Sequence, residues 1–262
     1  MQWFLYLEPV YQGLVATLFT YFVTALGAGL VFFFKSVNRK VMDMMMGFAA
    51  GVMIAASFWS LLSPAIYLAE ELGFNAWLTV TGGFALGGIF VTVSDIWLSK
   101  SQFISSKGTP FKRSVLLAFS VTLHNIPEGL AVGVAFGSVA MGLEGTSIIG
   151  AIMLAFGIGL QNFPEGACIS MPLYRDGFSR TKSFLIGQAS GIVEPIAGVL
   201  GVLFAMSMRG ALPFALSFSA GAMIAVACAE LLPESFKKNK TVSSFGVLSG
   251  FAVMMALDVG LG

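Results

Sequence analysis

Two short polar motifs interrupt a chain that is otherwise strongly apolar. The first is HNIPEG, which begins at His124, and the second is QNFPEG, which begins at Gln161. Both run polar, Asn, apolar, Pro, Glu, Gly, so the first residue and the glutamate are four positions apart. In a helix this spacing places both side chains on one face, one turn apart. His124 with Glu128, and Gln161 with Glu165, can therefore enclose one site.

A metal cation is the ligand that these side chains suit. One imidazole with carboxylate and amide oxygens favours a divalent transition metal such as Zn²⁺, with Cd²⁺, Fe²⁺ and Mn²⁺ as alternatives, whereas an all-oxygen set would favour Mg²⁺ or Ca²⁺. His124 is the single histidine of the chain. A neutral, hydrogen-bonded histidine is the alternative, but the glutamate one turn away and the second motif favour a ligand. Such a mixed site binds less tightly than a closed Cys-rich site, so the ion can be released.

Prolines stand beside three glutamates of the apolar chain. Pro127 and Pro164 precede Glu128 and Glu165, and a third proline follows Glu194. Because proline has no backbone N–H, the carbonyl four residues earlier loses its helical donor. Irregular backbone at membrane depth is tolerated where it lines a polar cavity or is buried in protein. The sequence therefore predicts free carbonyl oxygens next to carboxylates.

The elements that hold these motifs must be membrane-spanning helices. The chain has 262 residues, of which 57% are hydrophobic and 10% charged, against roughly 25% charged residues in a soluble domain. Each crossing takes about 20 apolar residues in a helix. The sequence predicts an all-α membrane protein, a single transmembrane domain over 1–262. Its eight spans are 8–34, 42–69, 76–99, 114–138, 146–172, 183–208, 211–235 and 243–262.

The basic residues predict the orientation of these spans. Lys and Arg in short loops stay on the cytoplasmic side. Of the 14 Lys and Arg residues, only Arg209 falls outside the loops that follow spans one, three, five and seven. Both termini should therefore lie outside the cytoplasm, with the chain in a cell membrane, inner or plasma.

Several acidic residues lie within or near the ends of the spans, where the sequence offers no basic partner. They are Asp95, Glu128, Glu165, Glu194, Glu230 and Asp258. A carboxylate in hydrocarbon must be paired, protonated or neutralised by a cation from solution. Protonated packing residues are an alternative for any one acid. This alternative fits Glu128, Glu165 and Glu194 together poorly, because two of the three occupy the same place in the doubled motif.

The chain also contains inverted internal repeats. The motif of span four recurs in span five, which runs in the opposite direction. A second alignment matches span two with span seven, pairing Phe48 with Phe218 and Gly51 with Gly221. Spans 1–3 are thus related to spans 6–8. In such architectures the substrate site lies near the midplane between the repeats.

HNIPEG in span four, QNFPEG in span five, Glu194 in GIVEPIAG and the eight helices together resemble the ZIP (Zrt-, Irt-like) divalent metal transporters, especially their GufA-like prokaryotic branch. The similarity covers essentially the whole chain. It implies movement of zinc-family divalent metals toward the cytoplasm through a binuclear site formed by spans four, five and six.

The resemblance also implies the ligands. The first subsite would comprise His124, Glu128, Gln161 and Glu165, and the second Asn125, Glu128, Asn162, Glu165 and Glu194, with Glu128 and Glu165 bridging. Many relatives have His where this chain has Gln161, and some have Asp at Asn162, so the second subsite has less negative charge here. By the same resemblance Met53 touches the first subsite, with simple packing as the alternative. Glu230 is a weaker candidate for a metal pathway.

Two other functions remain open at this stage. A metal-selective channel would use the same ligands. An intramembrane zinc metalloenzyme needs an open metal position and a general base, yet the chain has one His and no HExxH motif. We therefore expect no enzyme activity, prosthetic group or nucleic-acid partner. The expected partners are divalent metal ions, the lipid bilayer and, as an arrangement that the sequence leaves open, a second copy in a homodimer.

Overall fold

The computed structural model describes residues 2–34, 38–100, 110–143 and 146–261, with side chains described for 3–34, 38–97, 121–123, 125–143 and 146–260. Within these residues the chain is helical and forms no strand. The α-helices are α1 (Gln2–Leu5), α2 (Pro9–Ala28), α3 (Leu30–Phe33), α4 (Arg39–Ala56), α5 (Ser63–Glu71), α6 (Ala76–Lys100), α7 (Pro110–Ala140), α8 (Ile148–Arg175), α9 (Arg180–Ala189), α10 (Val193–Ser207), α11 (Leu212–Val226), α12 (Leu232–Ser235) and α13 (Lys240–Leu261).

Seven helical segments of the described chain are long and apolar enough to cross a membrane. They are Pro9–Phe33, Arg39–Glu71, Ala76–Trp97, Ile148–Arg175, Arg180–Ser207, Arg209–Ser235 and Lys240–Gly260. Each overlaps a predicted span, with bounds that differ by a few residues at the polar ends. The remaining predicted span, 114–138, lies within α7, where several side chains are outside the described residues. The prediction of an all-helical membrane protein is confirmed.

Local sequence explains where these helices begin and end. Asn38 caps α4 by accepting from Lys40 N over 2.9 Å, and Ser147 caps α8 by accepting from Gly150 N over 2.8 Å. Both satisfy a backbone N–H that has no partner within the helix. Gly177, with φ +98°, follows the end of α8 in the left-handed conformation that glycine adopts without strain.

Two membrane segments contain a π-helical stretch that sequence patterns did not predict. These stretches are Ser57–Leu62, between α4 and α5, and Ala227–Leu231, between α11 and α12. Pro64 and Pro233 follow them closely. Because each proline cannot donate to the carbonyl four residues earlier, which lies in the π stretch, regular α-helical bonding is interrupted there.

The helices pack mainly in four pairs: α2 with α8, α7 with α10, α4 with α13, and α6 with α11. Glycines bring the backbones of these pairs into contact, as is common between membrane helices. A Cβ at Gly51 of α4 would lie 2.1 Å from the carbonyl oxygen of Val247, and one at Gly221 of α11 would lie 1.9 Å from that of Phe84. The pairs α2 with α8 and α7 with α10 hold the polar motifs.

Candidate metal site

The two polar motifs lie inside long helices rather than at breaks. α7 continues through Pro127 and α8 continues through Pro164. In each helix the carbonyl four residues before the proline still lacks a backbone donor. The third proline differs, because a 3₁₀ turn at Ser190–Ile192 separates α9 from α10 and Glu194 lies in the first turn of α10.

Glu128 and Gln161 connect the two motif helices. Both side chains are fully buried, and Gln161 Nε2 donates to Glu128 Oε1 over 2.6 Å. The first residue of one motif therefore contacts the glutamate of the other. The remaining oxygens, Glu128 Oε2 and Gln161 Oε1, are buried without a hydrogen-bond partner in the described structure.

The carboxylate of Glu194 is surrounded by donors. Asn162 Nδ2 lies 2.9 Å from each of its oxygens. From α2, the hydroxyl of Thr20 donates to Oε2 and that of Thr24 lies 3.4 Å from Oε1. Glu194 is fully buried, so these side chains replace the water that it would otherwise bind.

The two motif asparagines make equivalent contacts on opposite sides of the site. Asn125 Nδ2 donates to the carbonyl of Ser190 over 3.0 Å, and Asn162 Nδ2 lies 3.4 Å from the carbonyl of Thr20. Both side chains are fully buried. In each case the amide nitrogen is engaged, whereas the amide oxygen Oδ1 has no hydrogen-bond partner among the described atoms.

Five residues of the predicted ligand set thus have a buried acceptor oxygen without a donor. These atoms are Asn125 Oδ1, Glu128 Oε2, Gln161 Oε1, Asn162 Oδ1 and Glu165 Oε2. Leaving a buried polar atom unpaired costs about 1–3 kcal/mol. A cluster of such acceptors is destabilising for the apo protein and is the kind of environment that a cation stabilises.

The charges of the site reinforce this conclusion. Glu128, Glu165 and Glu194 are close enough to repel one another when ionised. Among the described residues, the ion pairs lie elsewhere, near helix ends, and involve Arg39, Arg175, Arg209 and Lys237. No basic side chain described in the structure neutralises these three glutamates.

The other predicted residues are His124, Met53 and Glu230. His124 lies in α7, but its side chain is outside the described part of the chain. Met53 is fully buried within the main hydrophobic cluster, as the packing alternative requires. Glu230 lies in the π stretch after α11 and interacts electrostatically with Glu165. Asp258, which has no assigned role, accepts from Ser60 Oγ over 2.7 Å.

Sequence reasoning missed the threonines of α2. Thr17, Thr20 and Thr24 are fully buried, with 0% of each residue accessible. Their spacing of three and four residues puts them on one helix face, and a polar face in an apolar span was a signal that could have identified them. The contact between α2 and Glu194 could not be read from local pattern.

The described acceptors form a mixed set rather than a cluster of strong ligands. Among the described side chains, no three His, Cys, Asp or Glu groups are arranged to hold a metal ion. Three of the five unpaired acceptors are amide oxygens, which are weaker ligands than carboxylates. The arrangement suits an ion that is bound and released.

Comparison with known proteins gives a family for this architecture. The family model for the ZIP zinc transporter matches residues 99–258. The chain is 38% identical to zinc transporter ZIP11 of Bos taurus over 97% of this chain and 98% of that protein. It is 34% identical to zinc transporter GufA of Myxococcus xanthus over 95% and 99%, and 33% identical to zinc transporter ZIPB of Bordetella bronchiseptica over 91% and 78%. The chain belongs to the ZIP family of zinc transporters.

Proposed function

We propose that this membrane protein moves a divalent transition-metal ion, zinc in the first place, into the cytoplasm through a site between α7, α8 and α10. The observation that carries the proposal is the group of buried acceptor oxygens in the two motifs for which the described residues offer no donor. Family membership supports a transporter over an intramembrane metalloenzyme. Cd²⁺, Fe²⁺ and Mn²⁺ are further candidates for the same ligands.

The proposed ligands are those of the sequence analysis: His124, Asn125, Glu128, Gln161, Asn162, Glu165 and Glu194, with Met53 and Glu230 as possible additional contacts along the metal pathway. Glu128 and Glu165 supply the negative charge at the centre. Amide oxygens complete the shell without adding charge, which limits affinity and favours release.

The proposal includes eight membrane spans, of which α7 is the eighth beside the seven described above. It also includes an inverted repeat. Mirrored contacts support the repeat. Gly221 of α11 approaches Phe84 of α6, and Gly51 of α4 approaches Val247 of α13. The π stretches fall at matching positions after α4 and α11, and the two motif asparagines bond to carbonyls of α2 and of the turn before α10.

The external position of the termini follows from the distribution of basic residues, whereas the inward direction of transport is what the resemblance to ZIP transporters implies. We expect a cysteine at Lys238 to react with impermeant thiol reagents only from the cytoplasmic side, and one at Asn75 only from outside. Both residues are exposed, and the background should lack the free Cys168 and Cys228. Labelling of intact cells and inverted vesicles measures this, and the opposite pattern would reverse the proposed orientation.

Flux into liposomes tests the proposed function directly. Purified protein is reconstituted around a metal-sensitive dye, and uptake is followed against external Zn²⁺. We expect saturable uptake that Glu128→Gln abolishes and that Glu70→Gln, an exposed control, leaves unchanged. Uptake that rises linearly without saturation would instead indicate a metal-selective channel, and no uptake by the folded protein would refute transport. Light scattering of the same preparation measures whether the chain forms a homodimer.

A further inference from the structure

Glu194 differs from the other acids of the proposed metal site. Glu128 and Glu165 each have a buried oxygen to which no described group donates, whereas both oxygens of Glu194 are in contact with donors. Asn162 reaches both oxygens at 2.9 Å, Thr20 donates to Oε2, and Thr24 lies 3.4 Å from Oε1. Three donor groups, one amide and two hydroxyls, therefore face the two oxygens of this carboxylate.

The space around Glu194 is also closed. A Cβ at Gly191 would lie 3.0 Å from Glu194 Oε1 and 3.1 Å from Thr24 Oγ1. A Cβ at Gly129 would lie 2.5 Å from the Glu194 carbonyl oxygen. The turn before α10 thus lies close to the carboxylate at Gly191, and α7 packs against the backbone of Glu194 at Gly129.

The inverted repeat explains why hydroxyl groups stand opposite this carboxylate. The shift that aligns Phe48 with Phe218 also aligns Thr24 with Glu194. Where one half of the chain supplies an acid, the other half therefore supplies a hydroxyl donor, and the two related side chains meet. The donor role needs a threonine or serine at this place, since a second acid would repel Glu194.

Both hydroxyls have an alternative acceptor within α2. Thr20 Oγ1 lies 2.9 Å from the carbonyl of Thr17, and Thr24 Oγ1 lies 3.3 Å from the carbonyl of Thr20. Each hydroxyl carries one proton, so it either donates to Glu194 or turns back to its own helix. A metal ion that binds Glu194 must displace these donors, and this competition lowers its affinity.

Resting on the proposed function, we propose that Thr20 and Thr24 are positioning residues that hold Glu194 in hydrogen bonds and make the second subsite the weaker one. The chain then binds one ion tightly, through the acceptors around Glu128 and Glu165, and a second ion at least about tenfold more weakly. This follows from hydrogen bonds to a charged group, which contribute more than neutral ones.

Equilibrium dialysis of the purified full-length protein against Zn²⁺, with the bound metal measured directly, tests the proposal. We expect two unequal sites in the wild type. The ratio of their two dissociation constants is called the gap. The double variant Thr20→Val, Thr24→Val removes both hydroxyls and should narrow this gap at least about fivefold. Thr20→Ser with Thr24→Ser keeps the hydroxyls and should restore the wild-type gap. Equal sites in the wild type, or an unchanged gap in the valine variant, would overturn the proposal.

A second variant covers the case in which the valine protein does not fold. Thr20→Ala alone removes the hydroxyl that donates to Glu194 Oε2 and leaves the proposed ligand Asn162 unchanged. It should narrow the difference in affinity between the two sites at least about threefold, and an unchanged difference would overturn the proposal. Glu128→Gln, measured alongside, separates the two hypotheses: wild-type binding in Glu128→Gln would refute the metal site itself, whereas lost binding there with an unchanged gap in the other variants would refute only the role of the threonines.

Discussion

Two fully buried acids of this protein, Asp43 and Glu128, are stabilised in opposite ways. Asp43 Oδ1 lies 2.6 Å from Arg39 Nε, and its Oδ2 accepts from Asn239 over 2.6 Å. Glu128 has one amide donor, from Gln161, and its other oxygen has no partner among the described side chains. A buried charge must be neutralised by something. At Asp43 the chain supplies a permanent cation, whereas at Glu128 we infer that solution supplies a removable one.

Position along the helix accounts for the difference. Asp43 lies in the second turn of α4, where Arg39 can reach both the acid and water because its side chain is 36% exposed. Arg39 also bonds to Glu234 over 2.9 Å, so the cluster joins α4 to α12. Glu128 lies in the interior of the 31-residue α7, where a long basic side chain cannot reach water.

The largest expected effect is the loss of metal binding in Glu128→Gln. The substitution keeps the size of the side chain and the contact to Gln161 but removes the charge that balances the ion. Because even residues that only support a metal ligand contribute 10–100-fold to affinity, we expect a loss of more than about 100-fold in Zn²⁺ affinity by equilibrium dialysis.

The stability of Glu128→Gln against unfolding should not fall together with its metal affinity. Removing a charge that no described basic side chain neutralises should leave the resistance to unfolding unchanged or raise it. Glu70→Gln, at an exposed position of α5, serves as the matched control for both measurements. Wild-type affinity in Glu128→Gln would contradict the distinction between the two acids.

Asp43→Asn should show the reverse pattern, with lower stability and unchanged metal affinity. Breaking a fully buried ion pair costs about 3–5 kcal/mol, but Arg39 is partly exposed and keeps Glu234, so we expect roughly 2 kcal/mol. Denaturant unfolding in detergent measures the stability. A loss of Zn²⁺ affinity in the folded Asp43→Asn protein would show that this cluster belongs to the metal pathway.

A smaller effect should appear in the pH dependence of binding. Protons compete with the metal for His124 and for the carboxylates, so affinity should fall as the pH is lowered. Each proton displaced contributes about a tenfold change per pH unit in the range where its group titrates. Between about pH 7.5 and 5.5, where histidine titrates, His124→Ala should therefore show a shallower slope. If affinity changes equally steeply with pH in the wild type and in His124→Ala, His124 is not a metal ligand.

How far the sequence could predict this protein depended on whether the signal was local. The helices could be predicted from the length of the apolar segments, as at the predicted span 146–172, where the observed helix begins two residues later and ends three residues later, at Ile148–Arg175. The proximity of Glu128 and Gln161 could be predicted because the two motifs repeat each other and the spacing within each motif matches one helix turn. The contact is observed at 2.6 Å, although their role as ligands remains a prediction.

The parts that could not be predicted depend on contacts between distant segments. Asp43 meets Asn239 only because α4 packs against α13, and no pattern near either residue indicates the pairing. Thr20 and Thr24 contact Glu194 although 174 and 170 residues separate them from it in the sequence. The π stretches arise from a proline acting on the preceding turn, which a count of apolar residues does not register.

Anomalous diffraction from crystals grown with Cd²⁺ tests the central claim most directly, because cadmium can be located independently of the protein atoms. The account predicts a peak between α7 and α8, bound by Glu128 Oε2, Glu165 Oε2 and motif amide oxygens at roughly 2.0–2.6 Å, the range for metal–oxygen bonds. The same map should show no peak at Asp43. A peak beside Asp43 with none between α7 and α8 would contradict the account.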